Sequence, residues 1–589
     1  MIKKANLYTL ILFLLVSTAC ISNFIYFRND NSILGCDSGN HLFFSIEFFY
    51  KISNIIHDTS RSVLIKIISI IRRIGEPVPY STTYWPNGLN LIASLFYFMF
   101  GKSLFAAKLS LLPYLSILLF STYFIGKSLS SKSVGLTGAF ILFMYPLIFE
   151  SSRQFQLDFP LTAMVTLNIL LVLKSNCFQN RKYSLLLGLS LGYSMLVKGQ
   201  TILFILWPLL FILYITFRSA GKKILKQHLK SIQLQNIILF LLLTASISSI
   251  WWAHQMPIVK ASLIEHIFAA HKTIESGYTI TEKYSLPIIS FYIRNMFASL
   301  SPLLFLSFLA SIFYFKKNVR FKMLYLSWLI IPFLLFSLVF SIKDIRFLMP
   351  ILPVMALITA QGIKQINNKI IQTLTLTSII LFSSAQFFLF SYTDFAIKNV
   401  SLASIKIFTH NTGYANICHK DNTNTTIYRV IQTIKKHASL TSPVTIGFVN
   451  CENRSSFETL YFLKICSKNI LPLDFLEMPT LFVKELPHME YILFRQPTEN
   501  SIKWPKGREI KNLLIQEGHT QRMAILKYFN QLSALLESLE NIDSNFELIN
   551  IIPSGKYEPY CYYVYKRMHL LKKIPSNITD ALEKPGFET

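Results

Sequence analysis

Acids are scarce in this chain of 589 residues. Asp and Glu number 30 against 57 Lys and Arg, and charged residues of both signs make up only 15%. Soluble domains usually carry about 25%, so an ordinary soluble fold is excluded. The sequence also has no CxxC pair and no Cys/His spacing of the metal-binding kind, which removes zinc fingers and thioredoxin-like redox chemistry. It has no RNA- or DNA-binding motif, no internal repeat and no low-complexity tract. The apolar runs hold few acids and the chain has no repeated halves. Both absences count against a membrane transporter or flippase, the main alternative, which needs broken helices and ionisable groups deep in its spans.

What the chain has instead is apolar bulk. Hydrophobic residues make up 52%, with 50 Phe and 28 Tyr, and apolar runs near 20 residues recur, the length that crosses a hydrocarbon core about 30 Å thick. Eleven such runs are expected to span, at 7–27, 103–126, 133–150, 158–173, 183–197, 201–217, 237–255, 291–315, 322–341, 346–363 and 370–392. The net charge of +27 would raise nucleic-acid binding in a soluble protein. Here many of the cations sit in short clusters between apolar runs: Lys127–Lys132, Lys174–Lys182, Arg218–Lys230, Lys316–Lys322 and Lys364–Lys369. With Lys3 and Lys4 inside, all five clusters fall on the cytoplasmic side, as the positive-inside bias requires. No nucleic-acid partner is expected.

The same parity places 28–102, 151–157, 198–200, 256–290, 342–345 and everything after about 392 outside. Residues 89–100 are apolar but too short to span comfortably, and they read as an interfacial or re-entrant helix. Residues 183–197 and 201–217 form either two spans or one re-entrant hairpin. In the first outer loop, 42–56 and 63–74 interleave apolar positions with charge, the pattern of interfacial amphipathic helices. The run Leu7 to Phe27 is long for a signal peptide and reads as an uncleaved span. Ser17-Thr18-Ala19-Cys20 lacks the apolar residue three before the Cys that a lipoprotein site needs. After residue 395, candidate strands at 444–449, 491–494 and 561–566 alternate with candidate helices at 426–438, 455–466 and 519–540. The fold class expected is therefore a polytopic α-helical membrane domain, 1–394, followed by an extracytoplasmic α/β domain, 395–589. In that outer region Cys418, Cys451, Cys466 and Cys561 allow three full disulfide pairings.

Candidate chemistry gathers at the outer face. Asp37 lies about ten residues beyond the first span and Asp158 opens the fourth. An acid at a bilayer boundary is costly unless it is paired or hydrated, which makes both functional candidates. Asp158 followed by Pro160 fits a helix cap equally well. Lys198 and Arg346 also fall outside, as phosphate ligands or as snorkelling cations. His41 is four residues from Asp37, on the same helical face, either as a polar contact or as a local hydrogen-bonding residue. In the loop 256–290, His266 and His271 are five apart, which does not suit helical metal ligation. That loop reads as mobile, with His271 a weak ligand candidate.

The order of several passages resembles the GT-C superfamily, in the protein O-mannosyltransferase and aminoarabinose-transferase-like branch of bacterial membrane glycosyltransferases. They are Cys36-Asp37-Ser38; Tyr84-Trp85-Pro86-Asn87-Gly88; Phe100-Gly101-Lys102 through Lys108; Arg153 with Asp158; Leu196-Val197-Lys198-Gly199-Gln200; Arg346-Phe347-Leu348-Met349-Pro350 through Pro353; and Phe546-Glu547-Leu548 with Tyr563 through Arg567. The resemblance implies transfer of a sugar, usually with inversion, from a polyprenyl-phosphate donor to a hydroxyl on a lipid, polysaccharide or protein acceptor. It implies Asp37 as general base and Asp158 as a second acid that orients groups or helps hold a divalent metal. Arg153, Lys198 and Arg346 would meet the donor phosphate, and His41 and Tyr84 would make secondary acceptor contacts. Some members carry paired acids after the first span. Ser38 follows Asp37 here, which weakens a two-carboxylate metal site. The expected location is the bacterial inner membrane. O-antigen ligases or polymerases, and a sensor with an outer binding domain, are further alternatives that an acid in the first outer loop and the number of spans disfavour.

Overall fold

A computed structural model describes residues 2–29, 36–76, 85–228, 232–268, 289–314, 322–340 and 343–393, and beyond them chiefly seven strands between 400 and 567. Tyr84, the candidate ligand His271 and the candidate helices at 426–438, 455–466 and 519–540 lie outside the described residues, apart from the single position 433. The same holds for Cys418, Cys451 and Cys466.

The chain forms two compact units, Met1–Asp30 with Phe44–Lys420, and Asn31–Phe43 with Asp421–Thr589. The helices run α1 (Ile2–Asn29), α2 (Cys36–His57), α3 (Val63–Gly75), α4 (Gly88–Phe100), α5 (Leu104–Leu109), α6 (Leu112–Leu129), α7 (Lys132–Met144), α8 (Pro146–Ser151), α9 (Asp158–Lys174), α10 (Arg181–Val197), α11 (Thr201–His228) and α12 (Ile232–Phe268). They continue as α13 (Phe291–Leu300), α14 (Pro302–Tyr314), α15 (Lys322–Leu334), α16 (Leu352–Lys364) and α17 (Lys369–Tyr392). A π-turn, Leu335–Val339, extends α15, and a 3-10 turn, Ile345–Ile351, leads into α16.

Helix covers most of the described residues of each apolar run expected to span, yet among the described residues only six segments are long and apolar enough to cross a membrane, or seven if one bent pair counts as one span. The shortfall has local causes. The run 133–150 breaks at Tyr145, whose extended backbone precedes Pro146, because a residue before proline is pushed out of the helical region. The run 291–315 bends by 116° at Ser301, which has φ of 73° and precedes Pro302. Helices α9 and α10 are 17 residues each. In contrast, α12 outruns its expected bounds and reaches 37 residues.

Helix starts follow capping chemistry. Ser103, Ser131, Asn180 and Asn368 each accept a bond from a first-turn amide with their side-chain oxygen, satisfying donors that have no intrahelical partner. Close packing between α6 and α7 rests on Gly126 and Gly135. A Cβ at Gly126 would come within 2.6 Å of the Gly135 Cα. Small residues of this kind let helices approach in a lipid setting, where apolar side chains gain little from leaving the lipid.

The two segments of the first outer loop read as amphipathic, 42–56 and 63–74, differ. Helix α3 does present an exposed apolar face, Val63, Leu64, Ile67, Ile68 and Ile71. Helix α2 starts at Cys36, well before the expected 42, and buries most side chains from Leu42 through Ile52. Its run of Phe and Ile on all sides marks a packed helix rather than a one-faced one.

The strands are β1 (Val400–Leu402), β2 (Ile405–Phe408), β3 (Ile446–Asn450), β4 (Ile470–Leu473), β5 (Tyr491–Pro497), β6 (Phe546–Pro553) and β7 (Tyr560–Arg567). Strands β1 and β2 pair antiparallel, and the other five form one sheet in the order β4-β3-β5-β7-β6. Strand β3 runs parallel to both β4 and β5, whereas β7 is antiparallel to β5 and β6.

Candidate active site

Helices α9 and α10 run as an equal-length antiparallel pair, each rising about 25 Å. The turn between them holds Asn176, Cys177 and Phe178 at positive φ. From α12, Gln233 donates to the Cys177 carbonyl at 3.1 Å and Asn236 to that of Phe178 at 2.8 Å. Because the two helices match in length, the first residue of α9 meets the residue just past the end of α10. These residues are Asp158 and Lys198. Lys198 Nζ lies 2.6 Å from Asp158 Oδ1, and both side chains are buried. The residue before α9 is Leu157, and Asp158, the first residue of the helix, turns its carboxylate to the ion pair.

The ammonium is also enclosed by rings. Lys198 Nζ is 5.0 Å from the centre of the Trp85 ring and 5.2 Å from that of Phe347, distances at which a desolvated cation gains from the ring quadrupole. Trp85 is delivered by the entry to α4. There Gly88 abuts the end of α10 so closely that a Cβ would sit 2.5 Å from the Leu196 carbonyl oxygen. Tyr193 donates to the Gly88 carbonyl at 3.1 Å and bonds Tyr114 of α6. Asn87 ties the same entry to the end of α3 by donating to the Ile74 and Glu76 carbonyls.

A second buried ion pair sits beside the first. Arg346 donates from Nε at 2.9 Å and from Nη2 at 2.6 Å to Asp344 Oδ2. Asp344 Oδ1 caps the 3-10 turn by accepting from the Arg346 amide. Arg346 Nη1 donates to Gln156 Oε1 at 2.7 Å, which joins this pair to the segment leading into Asp158. Lys343, buried next to them, donates to the Phe336 and Ser337 carbonyls of the π-turn.

Arg153 lies elsewhere in the same helical unit. Its Nε donates to Asn23 of α1 at 3.0 Å, and its guanidinium lies over the rings of Tyr26, Phe149 and Phe387. Asn23 Nδ2 completes this arrangement by donating to Ser152 Oγ at 2.8 Å. Asp37 occupies the first turn of α2, and His41, one turn on, is buried. Both belong to the second unit.

The structure thus brings Asp158 and Lys198 together and sets Arg346 next to them through Gln156. Sequence reasoning missed Asp344, Gln156 and the role of Trp85. A signal existed for Asp344, the one acid in the short segment 342–345 between two apolar runs. Glu150 was missed as well; it is buried and accepts from Gln154. Among the described residues, no three His, Cys, Asp or Glu converge as metal ligands would.

A sequence profile of the family described as dolichyl-phosphate-mannose-protein mannosyltransferase matches residues 86–252, a stretch that contains both Asp158 and Lys198. The fold is similar to that of ArnT from Cupriavidus metallidurans bound to undecaprenyl phosphate, with TM-score 0.60, 11% identity, and coverage of 96% of this chain and 99% of that one. The chain has the fold of that ArnT. The apo form of the same ArnT matches this chain with TM-score 0.54 at 11% identity and equal coverage. An archaeal oligosaccharyltransferase from Archaeoglobus fulgidus aligns at TM-score 0.43 and 12% identity, over 83% of this chain and 70% of that one. No curated protein sequence matches the chain.

Proposed function

We propose that this protein transfers a sugar from a polyprenyl-phosphate donor to a hydroxyl acceptor at the outer face of a membrane, with inversion at the anomeric carbon. The observation that carries the reading is the pair of buried, compensated ion pairs, Asp158–Lys198 and Asp344–Arg346, joined through Gln156. Burying four charges is costly unless each is paired, and such groups at one end of a helical bundle mark a site rather than packing. The undecaprenyl phosphate bound to the similar ArnT and the mannosyltransferase description of the matching family support the donor class.

In this reading the acceptor oxygen attacks the anomeric carbon as the bond from that carbon to the phosphate oxygen breaks. The electron pair leaves with the polyprenyl phosphate, and the acceptor proton passes to the Asp37 carboxylate. Lys198 and Arg346 face the leaving phosphate. Their own carboxylates weaken their net pull on an anion and fix their positions. Asp158 acts through Lys198, whose ammonium it holds. The eleven helical runs are read as spans or re-entrant pieces of a domain covering 1–394. Residues 395–589 are read as an extracytoplasmic α/β domain, in a bacterial inner membrane. Its parallel strands need crossover connections of a dozen or more residues, usually helical; 451–469 and 474–490 have that length.

The test is turnover of lipid-linked sugar by purified protein. Asp37→Asn is expected to lower transfer by about 10²-fold or more with unchanged elution on size exclusion. Wild-type turnover by folded Asp37→Asn would remove Asp37 as the base. Mass spectrometry of cellular glycolipids and glycoproteins with and without the gene identifies the sugar and acceptor, and two identical profiles would count against the transferase reading.

A further inference from the structure

Gln156 holds an unmet hydrogen-bonding group at the centre of the candidate site. Its side chain is 2% exposed and its Oε1 accepts from Arg346 Nη1 at 2.7 Å. Arginine has only donors, so the atom facing it must be the amide oxygen, and the NH2 group is turned the other way by chemistry rather than by assignment. That nitrogen, Nε2, is buried and has no hydrogen-bond partner among the described residues. Leaving a buried donor unsatisfied costs about 1–3 kcal/mol, and a purely structural residue at this place would gain by losing its nitrogen.

The surroundings say what the donor is for. Gln156 lies two residues before Asp158, whose ion pair with Lys198 is internally neutral. Arg346, its other neighbour, is likewise neutralised by Asp344. The charges of the two ion pairs sum to zero, so a donor that they do not consume adds to what Lys198 and Arg346 offer an anion. A neutral amide held in place by Arg346 and aimed away from it is such a donor.

We infer that Gln156 is a substrate-contacting residue whose Nε2 donates to an acceptor oxygen of the lipid-linked sugar donor, either a phosphoryl oxygen or an oxygen of the sugar. The inference rests on the proposed transferase function, and Arg346 is the positioning residue that sets the amide. Two variants separate this role from a structural one. Gln156→Glu keeps an oxygen for Arg346 to bond and removes the N–H donors. Gln156→Leu removes both. A residue that merely supports Arg346 predicts near wild-type behaviour for Gln156→Glu and loss for Gln156→Leu. A donor to substrate predicts loss in both.

The measurement is affinity in detergent for two probes, undecaprenyl phosphate and undecaprenyl-phosphate mannose, with thermal unfolding of each variant recorded alongside. Both variants are expected to bind at least about tenfold more weakly, as loss of a hydrogen bond to a charged oxygen implies. Weakening toward both probes assigns the phosphoryl oxygen. Weakening toward the mannosyl probe alone assigns the sugar. Wild-type affinity of folded Gln156→Glu for both probes overturns the inference, and so does a loss confined to Gln156→Leu. If Gln156→Leu does not fold, Gln156→Glu decides alone. A wild-type protein that binds neither probe overturns the transferase reading, and this inference with it.

Discussion

The helical unit contains two sets of ion pairs that look alike on paper and differ in setting. At the candidate site, Asp158–Lys198 and Asp344–Arg346 have side chains between 3% and 6% exposed. Around α3, Asp58–Arg61 and Glu76 with Arg72 and Arg73 have side chains between 29% and 81% exposed. Distances do not separate the sets, since Asp58–Arg61 closes to 2.8 Å. Solvent does. Exposed pairs contribute about 0–1 kcal/mol, while removing one partner of a buried pair strands a charge and costs about 3–5 kcal/mol. One buried pair differs in sequence separation too. Asp158 and Lys198 are 40 residues apart and join two helices, whereas each pair around α3 spans only three or four residues.

The largest test of that contrast is Asp158→Ala. Among the described residues it leaves Lys198 buried with the Trp85 and Phe347 rings against its charge, and a loss of about 3–5 kcal/mol is expected. Asp58→Ala should leave stability nearly unchanged, because solvent screens its pair. Unfolding of both variants in the same detergent compares them directly; equal losses would break the contrast. The double variant Asp158→Leu with Lys198→Met sharpens it, because apolar replacement of a whole buried pair is often neutral or stabilising. It is expected to recover most of the stability while remaining inactive in transfer, which separates a functional pair from a structural one.

A smaller effect is expected from Trp85→Ala. Stripping one ring from a desolvated ammonium removes about 2 kcal/mol of cation–π attraction, together with the packing that seats the α4 entry on α10. Trp85→Phe retains an apolar ring face and should recover part of this loss. If both variants unfold like wild type, the rings around Lys198 contribute packing at most.

Much of this site was legible in the chain, and the part that was not has a physical cause. Asp158, Lys198 and Arg346 stood out because charge is rare at the ends of apolar runs, and charge parity put all three on one side. Their pairing was not legible. It depends on α9 and α10 having equal lengths and on the turn at 176–178 directing one back along the other, neither of which a hydropathy pattern encodes. Asp344 was hidden for the opposite reason. Its bonds to Arg346 are local and form only once the chain tightens into a 3-10 turn. Arg153 carried the same rarity signal as Lys198, yet its guanidinium lies over the rings of Tyr26, Phe149 and Phe387, which converge from three helices. The helical character of the apolar runs was legible, while their bounds were not, as α12 shows by running from Ile232 to Phe268. Pro146 and Pro302 were visible, and the breaks before them show how a short kink divides an apolar run that composition alone treats as continuous.

The smallest effect belongs to the exposed set and appears only with pH. Asp58 accepts from the Ser60 hydroxyl and from the Ser60 amide at 3.0 Å. Chiefly through that hydroxyl, with the amide and Arg61 adding to it, the Asp58 carboxyl is held below its usual range. A depressed carboxyl stabilises the folded state above its unfolded pKa, about 3.9. That contribution is lost as pH falls through the lower folded value. Ser60→Ala removes the largest cause, so the folded pKa should rise toward the unfolded one and stability should depend less on pH in the acid range. The carboxyl's own NMR titration is the direct measurement, since Asp58 is exposed and the effect on overall unfolding is small. A titration unchanged by Ser60→Ala would transfer the depression to the backbone amide and Arg61. It would also make this short turn before α3 a place where the side chain contributes geometry and no charge stabilisation, the opposite of what holds at Asp158.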